Sequence, residues 1–338
     1  MGRTSQSQSI RICCPDKKAL IQIPSALSDE LILFKKVLKL MGNRFEISVL
    51  SDNNIYADDC IQSVVVEIQR IESLLTTFRE DSETNLINKY AGISPVKVCS
   101  EIYDLICRCR RISELTQGAF DITYGSIDKR FWNFDLNMTE LPDAELAKET
   151  VRLVNYRNII LNDQNKTVFL KEKGMRIGFG GIGKGYAAER AKLLLKHQGI
   201  KSGIVNAAGD LTAWGFQSSG QPWTIGIADP ESRNQPFSTL NITDAAVATS
   251  GNYEKFAVIR GKKYSHTIDP KTGFPVSGIK SVTIICPNAE FADAMATPVM
   301  IMGAKVGLGM INQMQKIACI IIDDSNQIHT SNNIKLAR

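Results

Sequence analysis

Residues 175–190 read M-R-I-G-F-G-G-I-G-K-G-Y-A-A-E-R: a short apolar run, five glycines within eight residues and a helical pattern in direct succession. That order predicts a phosphate cradle. Glycine allows positive φ and close approach of a ligand to the backbone N–H groups, and a helix N-terminus attracts anions. Gly178, Gly180 and Gly183 match G-x-G-x-x-G, but Lys201-Ser202-Gly203 stand where a dinucleotide fold needs an acid for the ribose. Gly178, Gly183 and Lys184 match G-x-x-x-x-G-K, yet Gly185 replaces the Ser or Thr hydroxyl that a nucleotide triphosphatase puts on magnesium. The plainer alternative is a tight strand-to-helix turn without a ligand.

Outward from the cradle the chain divides by periodicity. Before it, Ile61, Val64, Val65, Ile68, Ile71, Leu74, Leu75 and Phe78 form one 3.6-residue stripe. Ile102, Leu105, Ile106, Cys109, Ile112 and Leu115 form another, closed by Gly118. The stretch R-E-D-S-E-T-N-L-I-N between them reads as a polar turn. Residues 28–40 fit either a helix through Leu31, Phe34 and Leu38 or a strand from Val37 to Met41, while Phe45, Ile47 and Val49 alternate as a strand. Residues 158–161 and 167–171 read as a hairpin entering the cradle, and Pro142 to Leu153 as a short helix. After Gly199, which ends the cradle helix, short β runs follow at 204–205, 211–214, 223–228, 239–242, 247–248, 256–259, 264–268 and 281–286. The pattern predicts an α+β fold, a helical N-terminal half packed on a β-rich antiparallel C-terminal half. Polar residues 1–27, with Pro15 and Pro24, read as a poorly ordered arm, and 28–338 as a single domain.

Composition bounds the function. With 338 residues, 43% of them hydrophobic and 22% charged, the chain has the means to bury a full core. A net charge of +5 without a Lys/Arg block argues neither for a nucleic-acid stripe nor for a membrane patch and supports only a modest bias toward anionic ligands. No run of 18 apolar residues and no signal-like N-terminus is seen, and the eight scattered cysteines lack C-x-x-C spacing. A cytoplasmic protein is expected, or an exported one whose signal has been removed.

Three stretches carry candidate chemistry. Residues 119–135 mix aromatics with Asp and Thr, the composition of a pocket for a flat ligand or of an irregular core loop. His266 lies in a β run before a Pro-Gly turn, placed either to act as a base or to serve as a structural residue. Asp293 and Thr297 share one face of an otherwise apolar predicted helix, four residues apart. Two such oxygens suit magnesium when a pyrophosphate supplies the others. Alternatively Thr297 bonds back to the Asp293 carbonyl and Asp293 caps the helix.

In order, L-M-G at Leu40–Gly42, D-S-E near Asp81, A-F-D-I-T-Y-G, G-G-I-G-K-G-Y-A, V-N-A-A-G-D-L, A-T-S-G-N-Y, Y-S-H-T-I-D-P-K-T-G and A-D-A-M-A-T resemble the FAD:protein FMN transferase (ApbE-like) family. The resemblance covers residues from about Leu40 to the C-terminus. It implies a T-fold-like α+β architecture and an enzyme that splits FAD with Mg2+, releases AMP and joins FMN to a Thr or Ser hydroxyl of an acceptor flavoprotein. An FAD pyrophosphatase and a non-catalytic FAD-binding protein are the alternatives. By this resemblance Met41, Phe78 (for the usual Tyr), Ala119, Phe120, Asp121, Lys184 and Ile268 contact FAD. Gly178 stands where the family commonly has an Asp, and Asn43 replaces a frequent Thr. The implied metal positions are Gly181 through its carbonyl, Asp293 and Thr297, with His266 as base toward the acceptor hydroxyl and Asp293 as the second catalytic group.

Overall fold

The ambiguous stretch before Met41 resolves into a strand, Ile32–Leu40, paired along its whole length with Asn43–Ser51. Two residues connect them, Met41 at φ 50 and Gly42 at φ 72. Two successive positive φ values match the right-handed twist of a tight hairpin, though a Met in that region is strained. The Met41 N–H is held by the Glu72 carboxylate at 2.9 Å. This computed structural model describes residues 8–12, 31–127, 140–228, 236–252, 256–259 and 261–336.

Eight strands form the central sheet, in the order Ile328–Thr330, Ala318–Asp323, Ile279–Cys286, Ala245–Gly251, Asp210–Trp214, Gly203–Ala207, Asn43–Ser51 and Ile32–Leu40. Every neighbouring pair is antiparallel. One face packs against helices α1 (Asn54–Leu75), α5 (Gly183–His197) and α6 (Ala289–Ile311). The other is covered by a four-stranded sheet of Ile334–Leu336, Gln8–Ile12, Pro236–Ile242 and Trp223–Ala228. The halves expected from periodicity therefore interleave: the first hairpin joins the strands of the β-rich half, and α6 joins the helices. Within the arm expected over 1–27, Gln8–Ile12 is a strand. The other residues of that arm, and 128–135 of the aromatic stretch, lie outside the described residues.

The stripe on α1 buries Ile61, Val64, Val65, Ile68, Ile71 and Leu75, each fully buried aliphatic contributing roughly 1.5–3 kcal/mol. Asn53 caps its start by accepting the Tyr56 N–H at 3.0 Å. The helix ends at Leu75, so Phe78, counted in the stripe, is not on it and is 96% exposed. The polar turn that follows is also more than a turn. Ser82 accepts the Asn85 N–H at 3.1 Å and caps α2 (Glu83–Lys89). The second stripe forms α3 (Ser100–Leu115), α4 is Ala144–Thr150, and Ile159–Asn162 and Thr167–Leu170 make the expected hairpin.

Around the glycines two expectations fail. Residues 171–182 contain no strand, and none of the five glycines takes positive φ. Of the five, Gly185 serves close approach instead. A Cβ on Gly178, Gly180 or Gly181 would meet nothing closer than 3.8 Å, whereas one on Gly185 would lie 2.2 Å from the Ala289 carbonyl oxygen and 2.6 Å from Asp293 Cβ. Gly185 thus lets α5 cross α6 at backbone distance. Helix α6 carries Pro298 and is broken at Gly303, whose φ of 80 and ψ of 166 only glycine adopts without strain.

Candidate functional site

Three loops and one helix enclose a cleft of about 780 Å3. The first wall begins where α3 ends. Asp121 opens a single 3-10 turn, Ile122–Ser126, its carboxylate accepting the N–H (2.8 Å) and hydroxyl (2.6 Å) of Thr123 and the Tyr156 N–H (2.7 Å). Ala119, Phe120 and Asp121 line the cleft, but the Asp121 side chain is spent on holding its own loop. Burial raises its carboxyl pKa, against the lowering effect of those hydrogen bonds.

The second wall is the glycine loop, which contributes Gly178, Gly180 and Gly181. It is hydrogen-bonded to the first: the Gly178 N–H donates to the Ile122 carbonyl at 2.9 Å, and Ser126 Oγ bridges the N–H (2.8 Å) and carbonyl (3.0 Å) of Arg176. A Cβ on Gly125 would come 3.0 Å from the Arg176 carbonyl, so these loops touch through backbone. The third wall is the segment after strand Lys262–Ser265, where His266 is exposed one residue past the strand end rather than inside it. There the Ser265 N–H donates to the Val276 carbonyl and the Val276 N–H to the Thr267 carbonyl, both at 2.9 Å. The Asp-Pro-Lys-Thr-Gly turn beyond it closes with the Gly273 N–H on the Asp269 carbonyl at 2.9 Å.

Helix α6 closes the cleft with Thr297 and Ile301. Neither local alternative for its polar pair holds. Asn288, not Asp293, caps the helix, and the Thr297 hydroxyl pairs with Ser250 Oγ at 2.9 Å. Asp293 instead reaches α5: its carboxylate accepts the Gly185 N–H at 2.8 Å, with Lys184 Nζ 3.8 Å away. Lys184 also pairs with Asp210, so two buried carboxylates face one ammonium. Burial raises the pKa of both acids, and Asp293 raises that of Asp210 further. A cation near them would be stabilised by that excess of acid.

The cleft thus brings together Phe78, Ala119, Phe120, Asp121, Gly178, Gly181, His266 and Thr297. Met41, Lys184, Ile268 and Asp293 do not line it. Met41 lies behind the loop, its Cε 3.6 Å from where a Gly183 Cβ would be. Lys184 and Asp293 form the layer beneath, and Ile268 is buried with Ile127 and Val151. Sequence reading missed Thr77 in the lining and assigned no individual role to Tyr124, Arg176 or Thr267, although each stands in a stretch it marked, and it gave no role to Asp210, although V-N-A-A-G-D-L contains it.

A family model described as the ApbE family matches residues 41–321. The FAD:protein FMN transferase of Treponema pallidum is 29% identical over 289 residues, covering 81% of this chain and 80% of that protein. That of Klebsiella pneumoniae is 29% identical over 299 residues, covering 88% and 91%. Among solved structures, the ApbE protein of Thermotoga maritima matches with a TM-score of 0.80 at 30% identity, over 89% of this chain and 97% of its own. The flavin transferase ApbE of Vibrio cholerae has the same fold, with a TM-score of 0.78 at 23% identity over 90% and 98%.

Proposed function

This chain belongs to the ApbE family, and on that premise we propose that it is an FAD:protein FMN transferase, moving FMN from FAD to a Thr or Ser hydroxyl of an acceptor protein in a Mg2+-dependent reaction. The observation that carries this reading is the convergence of His266, the glycine loop, the Ala119–Asp121 segment and Thr297 on one cleft. Its volume lies within the roughly 300–1,000 Å3 typical of small-molecule sites.

In this reading the flavin lies along Ala119, Phe120 and Phe78, and the pyrophosphate lies against Gly180 and Gly181 at the approach to α5. Gly181 through its carbonyl, Asp293 and Thr297 would hold Mg2+. The fit rests on the buried carboxylates of Asp210 and Asp293 sharing Lys184, an acid-rich layer with hard oxygen donors. When bound, the ion neutralises charge on the pyrophosphate. His266 takes the proton of the acceptor hydroxyl, whose oxygen attacks the FMN phosphorus as the bond to the AMP oxygen breaks. Lys184 holds Asp210 and Asp293 together beneath the loop.

Incubation of the purified protein with FAD, Mg2+ and a Thr-bearing acceptor, followed by nucleotide chromatography and intact mass, tests the proposal. AMP together with an FMN-sized mass gain on the acceptor is expected. AMP with free FMN alone would make it a pyrophosphatase, and no AMP a binding protein.

A further inference from the structure

Of the cleft-lining groups the reaction leaves unused, Tyr124 joins two walls that are remote in sequence. Its hydroxyl oxygen accepts the N–H of Ile268 at 3.1 Å, across 144 residues. Its ring packs against the buried cluster of Ile127, Val151 and Ile268, and Ile268 is 3% exposed. The Ser265 and Val276 N–H groups bond within the His266 loop and its return. The Ile268 N–H instead leaves that loop for the 3-10 turn, the same turn that holds Gly178 and Arg176 from its other side. Resting on the transferase reading above, we propose that Tyr124 is a positioning residue that fixes the His266 loop against the flavin-binding turn, and thereby sets where the imidazole meets the acceptor hydroxyl.

The physical basis is a buried donor with one designated acceptor. Removing the hydroxyl leaves the Ile268 N–H unpaired in an apolar cluster, and the segment recovers a partner by shifting toward solvent. Phe78 and the Ala119–Asp121 segment are held by other partners: the N–H groups of Phe78, Ala119 and Phe120 donate to Thr76 Oγ1, the Thr116 carbonyl and Thr116 Oγ1, and the Asp121 carboxylate accepts from Thr123 and Tyr156.

Tyr124→Phe keeps the ring and deletes the acceptor. In the wild-type background its kcat for FMN transfer should fall about tenfold, with FAD affinity changed less than about threefold. In a His266→Asn background the same substitution should cost less than about twofold, because a residue acting through His266 has nothing left to position. Equal losses in both backgrounds, or a fall in FAD affinity that matches the fall in rate, would overturn the proposal. Amide deuterium exchange adds an arm that needs neither turnover nor a folded variant: in the wild-type protein Ile268 must be protected. Exchange there as fast as at exposed loops would also overturn it. A wild-type protein that releases no AMP and labels no acceptor would sink the transferase reading, while a protected Ile268 would still uphold the contact.

Discussion

The two faces of the central sheet are built from adjacent residues of the same strands and do different work. In Asp210–Trp214, Leu211 and Ala213 point toward the four-stranded sheet, while Asp210, Thr212 and Trp214 point toward the helices. The sheet-to-sheet interface is filled by Leu211, Val247, Ile285 and Ile320 against Trp223, Ile225, Leu240 and Ile242. By alternation Thr249 and Thr283 share this face, and their hydroxyls pair with each other at 2.9 Å. On the helix face Asp210 and Ser250 reach outward, to Lys184 of α5 and Thr297 of α6. Buried polar groups require partners; on the helix face Lys184 pairs with Asp210 and the Gly185 N–H donates to Asp293, while the Thr212 hydroxyl, buried on the same face, finds no partner among the described residues.

The sharpest way to break this contrast is at the helix crossing. Gly185→Ala places a methyl group against the Ala289 carbonyl oxygen and Asp293, so α5 and α6 must part. Overpacking of this kind costs about 1–3 kcal/mol, occasionally more, and here AMP release should vanish as well. Urea melts and the FAD assay on one preparation check both. His266→Asn should spare the fold and FAD binding and lower transfer by about 10² to 10⁴, so a parallel loss of FAD affinity would make His266 a binding or structural residue.

Across the sheet, Leu240→Ala should remove about 2–5 kcal/mol of stability and leave kcat per folded molecule unchanged. A changed kcat would show that the two faces are coupled. Gly178→Asp is sterically allowed, since its Cβ would lie 3.9 Å from Thr77, and should move FAD or Mg2+ affinity without unfolding. Titration calorimetry would show no change if the position makes no contact.

The smallest effect belongs to the sheet's far edge, where His329 Nε2 meets Asp323 at 2.8 Å. That hydrogen bond, and the backbone donors Gln327 and Ser325, hold the Asp323 carboxyl below its usual pKa. Its contribution is present above the unfolded carboxyl pKa of about 3.9 and fades as pH falls through the lower folded value. Asp323→Asn should therefore cost at most about 1 kcal/mol near neutral pH, the range of exposed pairs. The gap to wild type should close on acidification, read from denaturation at several pH values.

Periodicity made the stripe on α1 and the alternation of the strands legible, because both record which side of an element meets the core. It overran at Phe78, where an aromatic continues the spacing after Thr76 has ended the helix. Residue chemistry marked His266, Thr297 and the glycine loop, all of which reach the cleft. What stayed hidden depends on pairs distant in sequence: Lys184 with Asp210, Tyr124 with Ile268, Glu72 with Met41. No local spacing encodes such partners. The role of Gly185 was hidden in another way, since its lack of a side chain answers a helix 104 residues away at Ala289.

The break at Gly303 has a consequence for lipid. By length and composition α6 is the described helix apolar enough to cross a membrane. Interrupted there, its longer piece, residues 289–302, would extend only about 21 Å at about 1.5 Å per residue, against a hydrocarbon layer about 30 Å thick. The broken turn would also present unpaired backbone groups to acyl chains, and Asp293 would enter with it. Within the fold those penalties do not arise, because α6 lies against α5 and the sheet. The glycine that shapes this helix also bars it from a bilayer.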